Sequence, residues 1–339
     1  MAYVPPPPGS TTPGQPTPEG VHKQAVNIND LPPEVRKSFL LSMVFFPTLV
    51  GATICAVIFL GWWTLFENKK PEQFAKELLS NDARRRKVAQ RELAEKLGDK
   101  AIYSTVTLNA LIEMVKNPEL DKEAEQWSPQ TMITGDELRA SPRWWAAAMT
   151  GHFAAKLPDP ADKARAREAL INALKEKNLG IFAARGLSLM RDPQARDALV
   201  ERLENGEDVA VKTAATSALG AIGEYLIALA NGLESASEAD RKYAAEKLEA
   251  AGIKADKASV EALLASYREP LQKAFKESSS AEVKDNAAIA LARLRDPLGK
   301  EHLTSLTKSE DAVIRDHAQR ALKALAGETL SPPGVTKAL

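Results

Sequence analysis

Cysteine is nearly absent from this chain. Cys55 is the single one among 339 residues, so neither a disulfide framework nor a cysteine-based zinc site can form within one chain. Aromatic residues are scarce, at 6%. Net charge is absent too: Lys+Arg and Asp+Glu number 45 each, which argues against a nucleic-acid binder, whose footprint is a basic excess. Histidine is limited to His22, His152, His302 and His317. They are widely scattered, and no metal site is expected from them. No Ser/His/Asp arrangement, P-loop or dinucleotide fingerprint is present. No cofactor is expected, and the chain is expected not to be an enzyme.

Large apolar residues are also missing from the first stretch, MAYVPPPPGSTTPGQPTPEG. Such a segment cannot bury a core, so residues 1–37 are expected to form a disordered Pro-rich tail, locally polyproline II. The next stretch is the reverse. Ser38 to Phe66 carries no charged residue, and about 20 apolar residues suffice to span a bilayer. A single transmembrane helix is predicted over 38–66. Trp62 and Trp63 lie near one boundary, where indoles favour the headgroup level. Gly51, Ala52, Cys55 and Ala56 place small residues at helix-pairing spacing. Basic residues are more numerous after the apolar run than before it, which places the C-terminal body in the cytoplasm by the positive-inside rule. The alternative is a periplasmic or extracytoplasmic body.

What remains is rich in alanine, leucine, glutamate, lysine and arginine, a helix-forming composition. A repeat runs through it. Ala89, Ala183, Ala215, Ala244, Ala287 and Ala318 are each followed four residues later by leucine: Leu93, Leu187, Leu219, Leu248, Leu291 and Leu322. Seven residues before the alanine stands an N-cap type, Asp82, Asp208, Ser237, Ser280 or Asp311, with Glu176 as the departure. Three before it stands Arg86, Lys212, Arg241, Lys284 or Arg315, with Gly180 as the departure. Alanine lets helices approach and leucine fills the adjacent groove. Each unit reads as a pair of short antiparallel helices, at a period of about 30 residues. Such pairs cannot bury their faces alone and must stack. A longer insertion separates the units at Ala244 and Ala287. The glycines of LGAIGE (219–224) read as a helix stop.

EDVAVKTAATSALGAIGE (207–224), SAEVKDNAAIALARLRD (280–296) and EDAVIRDHAQRALKALA (310–326) resemble HEAT-like repeats of the short type found in phycobilin lyases. The fold implied is all-α: an α-solenoid of HEAT-like helix pairs over 67–326, irregular at 100–160, preceded by one transmembrane helix and followed by a tail at 327–339. Glu301-His302 is similar to the His-Glu pairs of HEAT-repeat hydroxylases, but the order is reversed and a second pair is lacking.

The functional expectation is a bacterial-style, single-pass membrane protein whose solenoid holds a protein partner as an adaptor, scaffold or accessory subunit of a membrane complex. The alternatives are a HEAT-repeat enzyme of lyase or hydroxylase type, and a lipid- or envelope-binding structural protein. Two sites are singled out. Trp127, Arg143, Trp144 and Trp145 surround the long connection 118–140, and Trp and Arg are favoured interface anchors. Lys69, Lys70, Arg84, Arg85, Arg86 and Lys87 form a basic run next to the apolar stretch and are expected to face anionic lipid of the bilayer.

Overall fold

The computed structural model describes residues 50, 52–56, 70–123 and 141–326. The chain divides into two units, Met1–Asn68 and Lys69–Leu339. In the first, residues 50 and 52–56 are helical, and Val50 and Ile54 are 52% and 54% exposed. The rest of the expected membrane span, and both expected tails, lie outside the described residues.

The second unit is built of α-helices and short 3-10 turns, and among the described residues there is no strand. The helices are α1 (Pro71–Leu78), α2 (Ala83–Glu95), α3 (Thr105–Lys116), α4 (Pro142–Lys156), α5 (Pro160–Ala173), α6 (Lys177–Met190) and α7 (Arg196–Asn205), then α8 (Val209–Leu233), α9 (Glu238–Ala250), α10 (Lys257–Glu277), α11 (Ala281–Arg293), α12 (Lys300–Leu306) and α13 (Ala312–Leu325). Second helices of successive pairs lie side by side in the order α4, α6, α8, α11, α13. First helices back them, α3 packing on α5 and α7 on α10. This is an α-solenoid.

The alanine register is buried as the repeat requires: Ala89, Ala183, Ala215, Ala287 and Ala318 are all 0% exposed. The caps also form. Asp82 accepts from the N–H groups of Arg84 and Arg85, Asp208 from Ala210 and Val211, Ser280 from Val283, and Asp311 from Val313 and Ile314. A further device is shared by most units. The Oγ atoms of Ser80, Ser235, Ser278 and Ser309 each accept the N–H of the cap residue two positions on. Arg86, Arg241 and Arg315 reach back to donate to the carbonyls of Ser80, Ser235 and Ser309. In these three units the recurring arginine therefore ties the helix start to the turn before it, satisfying a carbonyl that the preceding helix end leaves open.

Three expectations are refined by the structure. Within 100–160, α3 and α4 form a stacked pair, while residues 124–140 of the long connection lie outside the described residues. The register missed α4 because His152 follows Ala148 where leucine is required and Trp145 precedes it where a basic residue is, and its close contact with α6 is made through glycine. A Cβ on Gly151 would stand 1.8 Å from the Gly186 carbonyl oxygen of α6. Second, α9 carries the register at Ala244 and Leu248 yet stands outside the stack. It packs on the C-terminal part of α8, while α8 itself packs directly against α11. Third, LGAIGE does not stop a helix. Gly220 and Gly223 lie inside α8, where added side chains would meet Ala290 and Leu294 at 2.8 Å. α8 is also long and apolar enough to cross a membrane by composition, but it is a core helix, enclosed by α6, α7, α9, α10 and α11.

Candidate protein-binding surface

Trp127 lies outside the described residues. Trp144 and Trp145 are 6% and 2% exposed, with Trp144 stacked on Phe182 of α6 at 5.4 Å between ring centroids. Arg143 is buried beside them. Its Nε donates to the Val115 carbonyl at 2.7 Å, and its two terminal nitrogens bind Asp121 at 2.8 Å and Glu176 at 2.6 and 2.7 Å. Burial opposes the Arg143 charge, but the bonds to Glu176 and Asp121 outweigh it and raise its pKa. This also explains the departure at Glu176: it makes no cap bond and is committed to Arg143. The expected interface role of Arg143, Trp144 and Trp145 is corrected to a structural one. α4 begins at the end of the long connection and is enclosed by α3, α5 and α6, so its bulky residues fill the core.

The basic run divides. Lys69 lies outside the described residues, and Lys70 is exposed at the start of α1. Arg84, Arg85 and Lys87 are exposed on α2, with Arg91 and the 48% exposed Val88. Arg86 is 5% exposed and turned to the Ser80 carbonyl, so it is removed from the expected lipid-facing set. It points inward because its register position faces α1.

The histidines remain apart. His152 Nε2 is 2.9 Å from the Tyr103 hydroxyl, and His302 Nε2 is 2.6 Å from Asp285 Oδ1. The pKa of His152 is lowered by burial and then by Lys156. Among the described residues no group of three His, Cys, Asp or Glu side chains converges as a metal site would need. One cleft, of ≈ 190 Å³, lies between α1 and α3, lined in part by Leu78, Arg86, Met114 and Leu120. Ligand pockets are typically about 300–1,000 Å³, so this cleft is small for a cofactor.

A different cluster was not singled out by sequence. At the end of α6, Arg191 adopts the left-handed conformation, φ 53°. Its guanidinium carbon stands 5.1 Å from the ring centre of Tyr225 on α8. On α9, Lys247 Nζ stands 5.4 Å from the ring centre of Tyr243, and Tyr243 is 53% exposed. The Tyr225 hydroxyl is pushed up to about 12, by burial first and then by neighbouring Tyr243. One signal was available in the sequence. Arg-Asp-Pro occurs at 191–193 and again at 295–297. In both, the arginine is left-handed and the aspartate caps the N–H two residues on.

Residues 166–249, from within α5 to the end of α9, match the family model for HEAT repeats. No curated protein matches the chain. Among solved structures, the complex of CpcE and CpcF of phycocyanin lyase from Nostoc sp. PCC7120 aligns at 20% identity over 78% of this chain and 97% of that chain, with a TM-score of 0.34. Kap95p, in a structure of its binding to RanGDP, aligns at 15% identity over 76% of this chain and 34% of that chain, with a TM-score of 0.31. The expectation that the chain is not an enzyme is withdrawn, since a lyase complex stands among the aligned structures. With TM-scores of 0.34 and 0.31, neither alignment assigns the chain a fold or a reaction.

Proposed function

We propose that the chain is a membrane-anchored HEAT-repeat adaptor that holds a partner protein of a membrane complex at the bilayer. The observation that carries the binding role is the stack α4–α6–α8–α11–α13. It is built on buried small residues and presents an extended surface, the feature by which solenoids engage other proteins. The uncharged stretch Ser38–Phe66 supports the anchor. The exposed Arg84, Arg85, Lys87 and Arg91 of α2 support contact with anionic headgroups, worth about 1 kcal/mol per basic residue near such a surface. In this reading the protein sits in the cell membrane by one span, with the solenoid in the cytoplasm. Anchoring raises the effective concentration of the partner's site without any new contact.

The test is co-purification. The detergent-solubilised full chain, recovered from its native membrane, should bring down a defined membrane-complex protein in fixed ratio. A chain lacking 38–66 should lose that partner from the membrane fraction. Recovery of the full chain alone would defeat the adaptor reading. Alkaline phosphatase fused after Leu339 should be inactive; activity would place the solenoid outside the cytoplasm.

A further inference from the structure

α9 is an addition to the repeat, since α8 packs on α11 without it. It nonetheless completes a cluster to which four parts of the chain contribute. Arg191 comes from the end of α6, Tyr225 from α8, and Tyr243 and Lys247 from α9. Lys163 of α5 faces Lys247 closely enough to feel its charge. We propose that this cluster is a binding site for an acidic peptide segment of the partner protein. The assignment rests on the adaptor reading and names the chemistry of its partner.

Charge points to an anion. Among the described residues, Lys163, Arg191 and Lys247 form no ion pair. Asp192, the carboxylate whose charge reaches Lys163, is already engaged: one oxygen binds Arg167 at 2.6 Å and the other accepts from the Gln194 N–H at 2.9 Å. Asp240 of α9 is turned to the Ser235 hydroxyl at 2.9 Å. Burial, then Lys247, depress the Lys163 pKa, and Asp192 offsets only part of this. Like charges whose neighbouring carboxylate is shared with Arg167 gain from a further anion placed among them.

The aromatic rings point to a peptide rather than a free ion. Tyr225 and Tyr243 lie beside the cations, and Tyr243 leaves half its surface open. Tyrosine supplies a rigid apolar face with a polar tip, the type of side chain enriched at protein interfaces. A carboxylate chain can pair with the cations while its backbone and methylene groups lie on the rings. The left-handed Arg191 fixes one cation over Tyr225 at little further entropic loss on binding.

The test uses the full chain in detergent micelles and a fluorescein-labelled hexaglutamate peptide, read by anisotropy at low and moderate salt. The wild type should bind, and Lys247→Glu should weaken binding at least tenfold with an unchanged melting temperature. Tyr243→Ala should weaken it several-fold. Lys308→Glu, an exposed position just before α13, should leave it unchanged. No binding by the wild type, or equal loss from Lys308→Glu, overturns the site. Competition by inorganic phosphate at matched charge, or equal binding of a hexathymidine oligonucleotide, overturns the assignment to peptide. The partner experiment separates this from the adaptor reading. A captured partner that survives Lys247→Glu refutes the site and leaves the adaptor standing. Peptide binding that depends on Lys247, without any captured partner, supports the site and refutes the adaptor.

Discussion

Helix α4 buries residues around most of its circumference, from Pro142 through Gly151 to Ala154, whereas α9 buries only Ala244 and Leu248. Both are short, alanine-rich and preceded by a serine cap. The difference is position. α4 is covered by α3, α5 and α6, while α9 touches the stack along one stripe of α8. The bulky side chains of α4, inside the stack, are fixed by packing and are not available to a partner. A helix added outside it is held by two residues and keeps its remaining faces. The tryptophans of α4 and the tyrosine of α9 thus exchange the roles that residue type alone assigns.

The largest effect expected from this contrast is at those aromatic residues. Truncation of a buried Trp typically costs about 3–5 kcal/mol, and Trp145→Ala should lower the melting temperature accordingly. Tyr243→Ala, on the open face of α9, should stay within about 0.5 kcal/mol of wild type. Thermal denaturation of both variants decides it. Equal destabilisation would mean α9 is as enclosed as α4.

Glycine gives the next test. Gly151→Ala would force a methyl to 1.8 Å from the Gly186 carbonyl oxygen, a backbone atom that cannot step aside. The cost should reach about 3 kcal/mol, the upper end of ordinary overpacking. At the α8–α9 contact, Gly232→Ala would meet the Ala244 methyl at 3.0 Å. α9 can move outward by a few tenths of an ångström, so the cost should be below about 1 kcal/mol, the lower end of that range. Denaturant midpoints would show the order, and a reversal would place α9 within the stack.

The same contrast shows what the sequence could reveal. Periodicity reports that a face is buried, and Ala89, Ala183, Ala215, Ala244, Ala287 and Ala318 are all buried. It does not report which neighbour covers that face, so α9 looked like a stack member. α4 was obscured because, after the Ser141 cap and Ala148, His152 stands where the register has leucine and Trp145 where it has a basic residue. Gly220 and Gly223 were read as a stop because glycine is poor in isolated helices, by about 1 kcal/mol. Tertiary contact with Ala290 and Leu294 reverses that preference. The Tyr225–Tyr243 cluster draws its residues from separate helices, and no local spacing encodes it. The serine two before the caps Asp82, Ser237, Ser280 and Asp311 was legible as a recurrence, but its role needed the hydrogen bonds.

Arginine supplies a smaller effect. Arg143→Ala removes the bonds to the Val115 carbonyl, Asp121 and Glu176. The carboxylates are partly exposed and recover some solvation, so about 2 kcal/mol is expected, near the loss of charge-assisted bonds to a buried donor. Arg241→Ala on α9 removes bonds to the Ser235 and Ala236 carbonyls in an exposed setting, and should cost about 0.5–1 kcal/mol. Chemical denaturation of the two variants reads the ratio.

The smallest effect concerns the caps, and it separates local from cooperative loss. Asp208 accepts from Ala210 N–H at 2.9 Å and Val211 N–H at 3.2 Å at the start of α8. Ser237 accepts from Asp240 N–H at 3.3 Å at the start of α9. Removing either cap costs about 1 kcal/mol in general. The consequences should differ in extent. Fraying of α8 uncovers Val211, which packs by Gly180 of α6, so Asp208→Ala should speed hydrogen exchange in both helices. The start of α9 covers little, and Arg241 still ties it to the Ser235 carbonyl. Ser237→Ala should therefore speed exchange over the first turns of α9 alone and cost only about 0.5 kcal/mol, the low end for a cap. It should also loosen Tyr243, weakening acidic-peptide binding while the melting temperature stays near that of wild type. Exchange spreading from α9 into α8 and α11 would show that the added helix folds as part of the stack.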